Sequence, residues 1–210
     1  MPEQLSRRFP AAQVDVVEID PAVIEVGHKF FRLDEFPKVH AHAADARRFL
    51  NHGTEKYDFV FGDAYHGQQY VPAHLVTQEF FGEVRRRLSD DGVYVMNLIG
   101  SLRGDGSTLF WRVLNSFRPS FPYVVVYGTE PQNPFAQQNM IIVGSGANLA
   151  DREKLWKQRV GPGHDIQLVN LLGARHDVPA TPEDTGVFTD DHNPVEYVVA
   201  MQLRAQRKLK

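Results

Sequence analysis

The sequence predicts an α/β fold built on a mostly parallel, doubly wound sheet with an antiparallel hairpin at its edge. Three observations carry that expectation. From Val14 to Leu98, short apolar runs of strand character alternate with amphipathic helical stretches. The stretch Tyr57 to Leu98, YDFVFGDAYHGQQYVPAHLVTQEFFGEVRRRLSDDGVYVMNL, reads as strand, loop, helix and strand. That is a βαβ unit, whose crossover is right-handed. Finally, polar residues fall at successive strand ends: Glu18, Asp45, Asp63 and Asn97. Parallel strands bring these ends to one edge of the sheet, where open α/β sheets bind their ligands.

Each element has a local reason. Pro2 to Phe9 reads as the closing turns of a helix, and VDVVEI then enters a strand. Pro21 suits the first turn of the next helix. That helix, AVIEVGHKFFRL, sets Val23, Val26, Phe30 and Leu33 on one stripe. KVHAHA, from Lys38 to Ala43, is strand-like by alternation, and Asp45 caps the helix ADARRFLNH, which Gly53 ends. DFVFGD is the central strand and ends in Asp63; Gly67 and Pro72 mark the loop after it. Thr77 caps a helix with Phe80, Phe81, Val84 and Leu88 at helical spacing; Asp91-Gly92 stops it, and GVYVMNL opens the next strand.

Beyond Leu98, GSLRGDGS is a glycine-rich loop, and STLFWRVLNSF is a helix with Leu109, Phe110, Val113, Leu114 and Phe117 inward. YVVVYG and NMIIVGS, joined by the turn-rich TEPQNPFAQQ, pair as an antiparallel hairpin. Asn148 caps LADREKLWKQRV. The remainder is mixed, carries TPEDTGVFTDDHNPVEYVV and ends in a basic tail, RAQRKLK. No repeat or long linker divides the chain, so residues 1–210 are expected to form one domain.

Composition narrows the classes of function. A chain of 210 residues with 42% hydrophobic and 23% charged residues fits one soluble globular domain with a real core. A net charge of −3 advertises neither nucleic acid nor an anionic membrane as partner. No apolar run approaches the ~20 residues of a membrane span, and MPEQLSRRFP has no signal-peptide core. The absence of cysteine removes disulfides, thiol catalysis and thiolate metal sites. A cytoplasmic enzyme or binding domain is the expectation.

The strand-end acids suggest a nucleoside ligand with a cationic partner. A carboxylate at the position of Glu18 can accept both hydroxyls of a ribose. Asp45, one strand over, can accept an adenine amine. Asp63 then faces the reacting end, where a carboxylate can hold a cationic amine or take its proton. Tyr65 and His66, on the loop after Asp63, are placed to line the pocket.

VDVVEIDPAVIEVG, DARRFL and YDFVFGDAY together resemble the polyamine aminopropyltransferase (spermidine synthase) family, and DAYHGQQYVPAHLVTQEFF with FTDDHNPVEYVV is most similar to its bacterial spermidine-synthase-like branch. The resemblance implies a Rossmann-like fold of the class I methyltransferase type. It implies that Glu18 binds the ribose of the aminopropyl donor, that Asp45 with Ala46 contacts its adenine, and that Asp63 activates the attacking amine. The implied reaction moves an aminopropyl group from decarboxylated S-adenosylmethionine to a polyamine such as putrescine, without a metal, leaving methylthioadenosine. Two features differ from the family. Its glycine-rich donor loop and the strand before it have no counterpart here, so the chain is expected to be an N-terminally truncated catalytic domain. The family's second loop aspartate is replaced by His66.

Other readings stand beside this one. A methyltransferase using S-adenosylmethionine would use the same strand-end acids. A non-catalytic relative could act by association, as a homodimer that covers the open edge beside VDVVEI. Asp20 is read as a helix cap or ligand contact. Asp190 and Asp191 either fold over the cleft or cap a turn. His40 and His42 alternate on one strand face, yet no third metal ligand is spaced to join them.

Overall fold

The computed structural model of the chain describes residues 2–65, 71–130, 132–151, 154, 175–176 and 186–207. The chain divides into two compact units, Met1–Thr54 and Glu55–Lys210.

The first unit contains α1 (Pro2–Arg8), β1 (Val14–Glu18), α2 (Pro21–Phe31), β2 (Val39–Ala43) and α3 (Ala46–His52). β1 and β2 pair in parallel, from Val14 opposite Val39 to Glu18 opposite Ala43. The helix starts follow from their caps. Asp20 accepts the Ala22 N–H ahead of α2, with Pro21 at the first helical position, and Asp45 accepts the Arg48 N–H ahead of α3. The predicted stripe of α2 forms but is not covered: Val23, Val26 and Phe30 are 52%, 43% and 66% exposed. Leu50 is the only buried side chain among the described residues of this unit. A two-stranded sheet with three short helices has too little interior to bury more.

The second unit contains β3 (Tyr57–Gly62), a 3-10 turn (Ala73–Leu75), α4 (Gln78–Arg87), β4 (Leu88–Gly100), α5 (Thr108–Phe117), β5 (Tyr123–Gly128), β6 (Gln138–Ser145), β7 (Arg175–His176) and α6 (Val195–Arg207). Its sheet runs in the order β3-β4-β6-β5-β7. β3 and β4 are parallel; the remaining ladders are antiparallel. The β5–β6 hairpin forms as predicted, with β6 against β4 and the two-residue β7 outside β5. Most of the helix expected after Asn148 lies outside the described residues; Asn148 itself accepts the Ala150 N–H at 2.9 Å.

The boundary between α4 and β4 differs from the sequence expectation. The helix ends at Arg87 and strand pairing begins at once, with Leu88 opposite Tyr57. Pairing resumes with Val93 opposite Phe59, so residues 89–92 bulge out of the ladder. A Cβ on Gly92 would meet the Tyr57 carbonyl oxygen at 2.9 Å. Asp91-Gly92 is thus a turn signal, but the turn lies inside the strand. Leu88 is drawn into the sheet because its side chain is buried there.

The core of this unit is aromatic. Phe81 of α4, Tyr94 of β4, Phe117 of α5 and Phe121 pack together, with ring centroids 5.0 Å apart for Phe81–Phe117 and 4.4 Å for Phe117–Phe121. Tyr94 stacks on both Phe117 and Phe121. Burying each such ring stabilises the fold by about 1.5–3 kcal/mol. Gly144 of β6 is part of the same packing: a Cβ there would run into the Phe117 and Phe121 rings. Among the described residues, no helix is long and apolar enough to cross a membrane.

Candidate active site

The site is built outward from the carboxyl ends of β3 and β4. Parallel register sets Gly62 opposite Met96, so the next residues, Asp63 and Asn97, emerge side by side. Asn97 Nδ2 donates to Asp63 Oδ1 at 2.8 Å. The Tyr65 hydroxyl returns to the same strand and donates to the Asn97 carbonyl oxygen at 3.0 Å. Three sequence-predicted positions are therefore brought together by one strand pair.

Glycine is needed immediately before Asp63. A Cβ on Gly62 would collide with the Tyr94 hydroxyl and sit 3.1 Å from two atoms of its ring. That ring is buried and packs against both Phe117 and Phe121. The aromatic core thus reaches the backbone that carries Asp63.

The electrostatics follow from this packing. Burial, and then the neighbouring Asp63 charge, push the Tyr65 hydroxyl up to about 12. Tyr65 is therefore a protonated donor throughout the neutral range. Asp63 is exposed, and Asn97 fixes the direction of one of its oxygens. Asn97 Oδ1 is buried and has no partner among the described residues. A solvent-facing carboxylate held in direction is an acceptor suited to an N–H donor, preferably a cationic one.

The first unit carries the other strand-end acids. Glu18 closes β1; its Oε1 accepts the Asp20 N–H at 3.0 Å, and its carbonyl accepts the Ala44 N–H at 3.0 Å. Asp20 spends Oδ1 on capping α2, at 2.8 Å from the Ala22 nitrogen. Asp45 Oδ1 accepts the Arg48 N–H at 2.9 Å, and Ala46 is the first residue of α3. His40 is engaged with Gln13 at 3.1 Å and His42 with Asp15 at 2.7 Å. His66 lies outside the described residues. Asp190 and Asp191 are exposed on a turn whose Asp190 N–H donates to Glu79 in the first turn of α4.

Residues 5–127 match the spermine/spermidine synthase domain model, more than half of the chain. The chain belongs to the spermine/spermidine synthase domain family. The matched span runs from α1 into β5 and includes Glu18, Asp45, Asp63, Tyr65 and Asn97; TDDHNP lies beyond it. A polyamine aminopropyltransferase from Vibrio vulnificus is 36% identical over 100 residues, covering 46% of this chain and 33% of that protein. A probable polyamine aminopropyl transferase from Bifidobacterium longum is 24% identical over 92% of this chain and 45% of its own length. The chain thus spans a third to just under half of these curated relatives. A Xenopus laevis eEF1A lysine and N-terminal methyltransferase is 29% identical over 55% of the chain and 18% of its own length.

Among solved structures, a probable spermidine synthase from Corynebacterium glutamicum aligns with a TM-score of 0.64 at 22% identity, over 87% of this chain and 70% of that one. Human methyltransferase-like protein 13 aligns with a TM-score of 0.59, also at 22%, over 88% of this chain and 82% of that one. The fold is α/β, Rossmann-like and of the methyltransferase type. In this family member the β3–β4 strand pair presents Asp63, and Asn97 and Tyr65 brace the strand ends around it.

Proposed function

We propose that this chain is the catalytic domain of a spermidine-synthase-like aminopropyltransferase. It moves the aminopropyl group of decarboxylated S-adenosylmethionine to a polyamine such as putrescine and leaves methylthioadenosine. The observation that carries this reading is the exposed Asp63 carboxylate, oriented by Asn97 at the carboxyl end of a parallel strand pair, in a chain of this family.

The chemistry assigns a task to each residue. Asp63 accepts an N–H of the attacking amine and takes its proton as the nitrogen bonds to the aminopropyl carbon. The carbon–sulfur bond breaks with its electron pair going to sulfur, so the sulfonium becomes a neutral thioether. Asn97 holds the carboxylate in direction, and Tyr65 holds Asn97 through its carbonyl. Glu18 accepts the ribose hydroxyls through the oxygen not used by the Asp20 amide, and Asp45 and Ala46 stand at the adenine. Tyr65 and the loop residue His66 line the amine side.

The second reading is a methyltransferase that uses S-adenosylmethionine. It is favoured by the similarity to named methyltransferases. A parallel assay separates them. The chain is offered putrescine with decarboxylated S-adenosylmethionine, or with S-adenosylmethionine, and the amine products are resolved by mass. An added aminopropyl group supports the first reading. An added methyl group, with no aminopropyl product, replaces it with the second.

A further inference from the structure

The strands β3 and β4 end at different heights. β3 stops at Gly62, opposite Met96, while β4 runs on to Gly100. On its other side β4 stays paired to its end, since β6 follows it as far as Gln138 opposite Gly100. The β3 side of β4 is therefore left without a strand from Asn97 onward. Were β3 to continue in register, Ala64 would form the next rung. Its N–H would donate to the Asn97 carbonyl, and its carbonyl would accept the Ile99 N–H. Residues 63–65 leave the strand instead, with Asp63 and Ala64 exposed.

The Tyr65 hydroxyl makes both bonds of that missing rung. It donates to the Asn97 carbonyl oxygen at 3.0 Å and accepts the Ile99 N–H. A hydroxyl joins donor and acceptor on one atom, so a phenol reaching back from the loop can do the work of a peptide group. Asp63 is then held within a closed loop of contacts. The chain from Asp63 to Tyr65 returns through the phenol to Asn97, and the Asn97 side chain returns to Asp63 Oδ1 at 2.8 Å. With its proton on the Asn97 carbonyl, the hydroxyl has none left to donate to a ligand.

We propose that the Tyr65 hydroxyl is a surrogate rung of the β3–β4 ladder and that Tyr65 is thereby a positioning residue for Asp63. It lets the chain turn out of the sheet at Asp63 while keeping Asn97 in place to hold the carboxylate. The hydroxyl therefore acts on the rate of transfer and leaves amine and nucleoside affinity alone. Its effect on turnover rests on the aminopropyltransferase reading; the surrogate rung does not.

The test compares the parent chain with Tyr65→Phe, which keeps the ring and loses only the hydroxyl, and repeats the comparison in an Asn97→Leu background. Backbone hydrogen exchange reads the Ile99 amide. The Val143 amide of β6, a strand paired on both sides, is the control for global unfolding. Putrescine KM, kcat and methylthioadenosine affinity are measured alongside. Exchange at Ile99 should speed about 3- to 10-fold in Tyr65→Phe, with Val143 unchanged. The kcat should fall by about the same factor, while putrescine KM and methylthioadenosine affinity stay within about twofold. In the Asn97→Leu background the carboxylate is already unheld, so removing the hydroxyl should change kcat by less than about twofold. Unchanged exchange at Ile99, or equal speeding at Val143, overturns the surrogate rung. Faster exchange at Ile99 with unchanged kcat, or an equal fall in kcat in both backgrounds, overturns the positioning of Asp63 through Asn97. A parent chain that transfers no aminopropyl group sinks the aminopropyltransferase reading, and the exchange result then decides the surrogate rung by itself.

Discussion

Replacing Asn97 with aspartate probes the contact that orients Asp63. The 2.8 Å hydrogen bond becomes an encounter between two carboxylates. Two like charges at that separation repel by about 1.5 kcal/mol at the dielectric of water and about 3 kcal/mol at half that value. The pair therefore binds one proton more tightly than a single exposed carboxylate does. The sign of the stability effect follows. The folded variant then holds a proton that the unfolded chain releases near pH 4. The resulting stabilisation is fully present below about pH 4, falls as pH rises above that, and is lost towards neutral pH. Thermal unfolding of variant and parent over this range is the assay. The gap in Tm should widen by roughly 3–12 °C between about pH 4 and pH 7, at about 2–4 °C per kcal/mol. Asn97→Leu, which removes the hydrogen bond without adding charge, should show a gap that does not vary with pH. If the aspartate variant behaves like the leucine variant, the Asp63–Asn97 contact is wrong.

Three further outcomes are expected. Asp63→Asn removes the charge that helps hold the Tyr65 hydroxyl near 12, so Tyr65 should ionise at lower pH, though still above its ordinary value because burial remains; ultraviolet titration against Tyr65→Phe identifies the group, and an unmoved transition would separate the two residues. Gly62→Ala drives a methyl group into the buried Tyr94 ring and should destabilise the chain by about 1–3 kcal/mol, read as a lower denaturant midpoint; a neutral substitution would show that β3 or the ring gives way. Thr77→Ala deletes the buried hydroxyl that accepts the Phe80 N–H at 3.2 Å and should cost about 0.5–2 kcal/mol, whereas Thr77→Ser should recover most of it.

Local features were legible in the sequence, and contacts between distant segments were not. The caps Asp20, Asp45 and Thr77 work where the residue pattern put them, because a cap needs only its own next few residues. The aromatic face of α5 is buried as its spacing predicts. The burial of α2 was not legible: the stripe of Val23, Val26 and Phe30 is real, but periodicity says nothing about what lies over it. The bulge at residues 89–92 was hidden because Leu88 fits both a helix stripe and a strand. In the candidate site, Asp63 stood out as an acid ending an apolar run, and Asn97 as a polar residue near the end of the next. Their hydrogen bond required the parallel register of β3 and β4. The bond from Asn193 Nδ2 to the Ala73 carbonyl has no signature in the sequence, because its acceptor is a backbone oxygen 120 residues away.

The central claim is that Asp63 is the proton acceptor of aminopropyl transfer, and Asp63→Asn tests it most directly. Single-turnover transfer from decarboxylated S-adenosylmethionine to putrescine is followed with the parent chain and the variant, both saturated with donor. A loss of at least about 10²-fold in rate, with methylthioadenosine affinity and Tm preserved, is the predicted result. Transfer at the parent rate would contradict it and move the proton acceptor elsewhere.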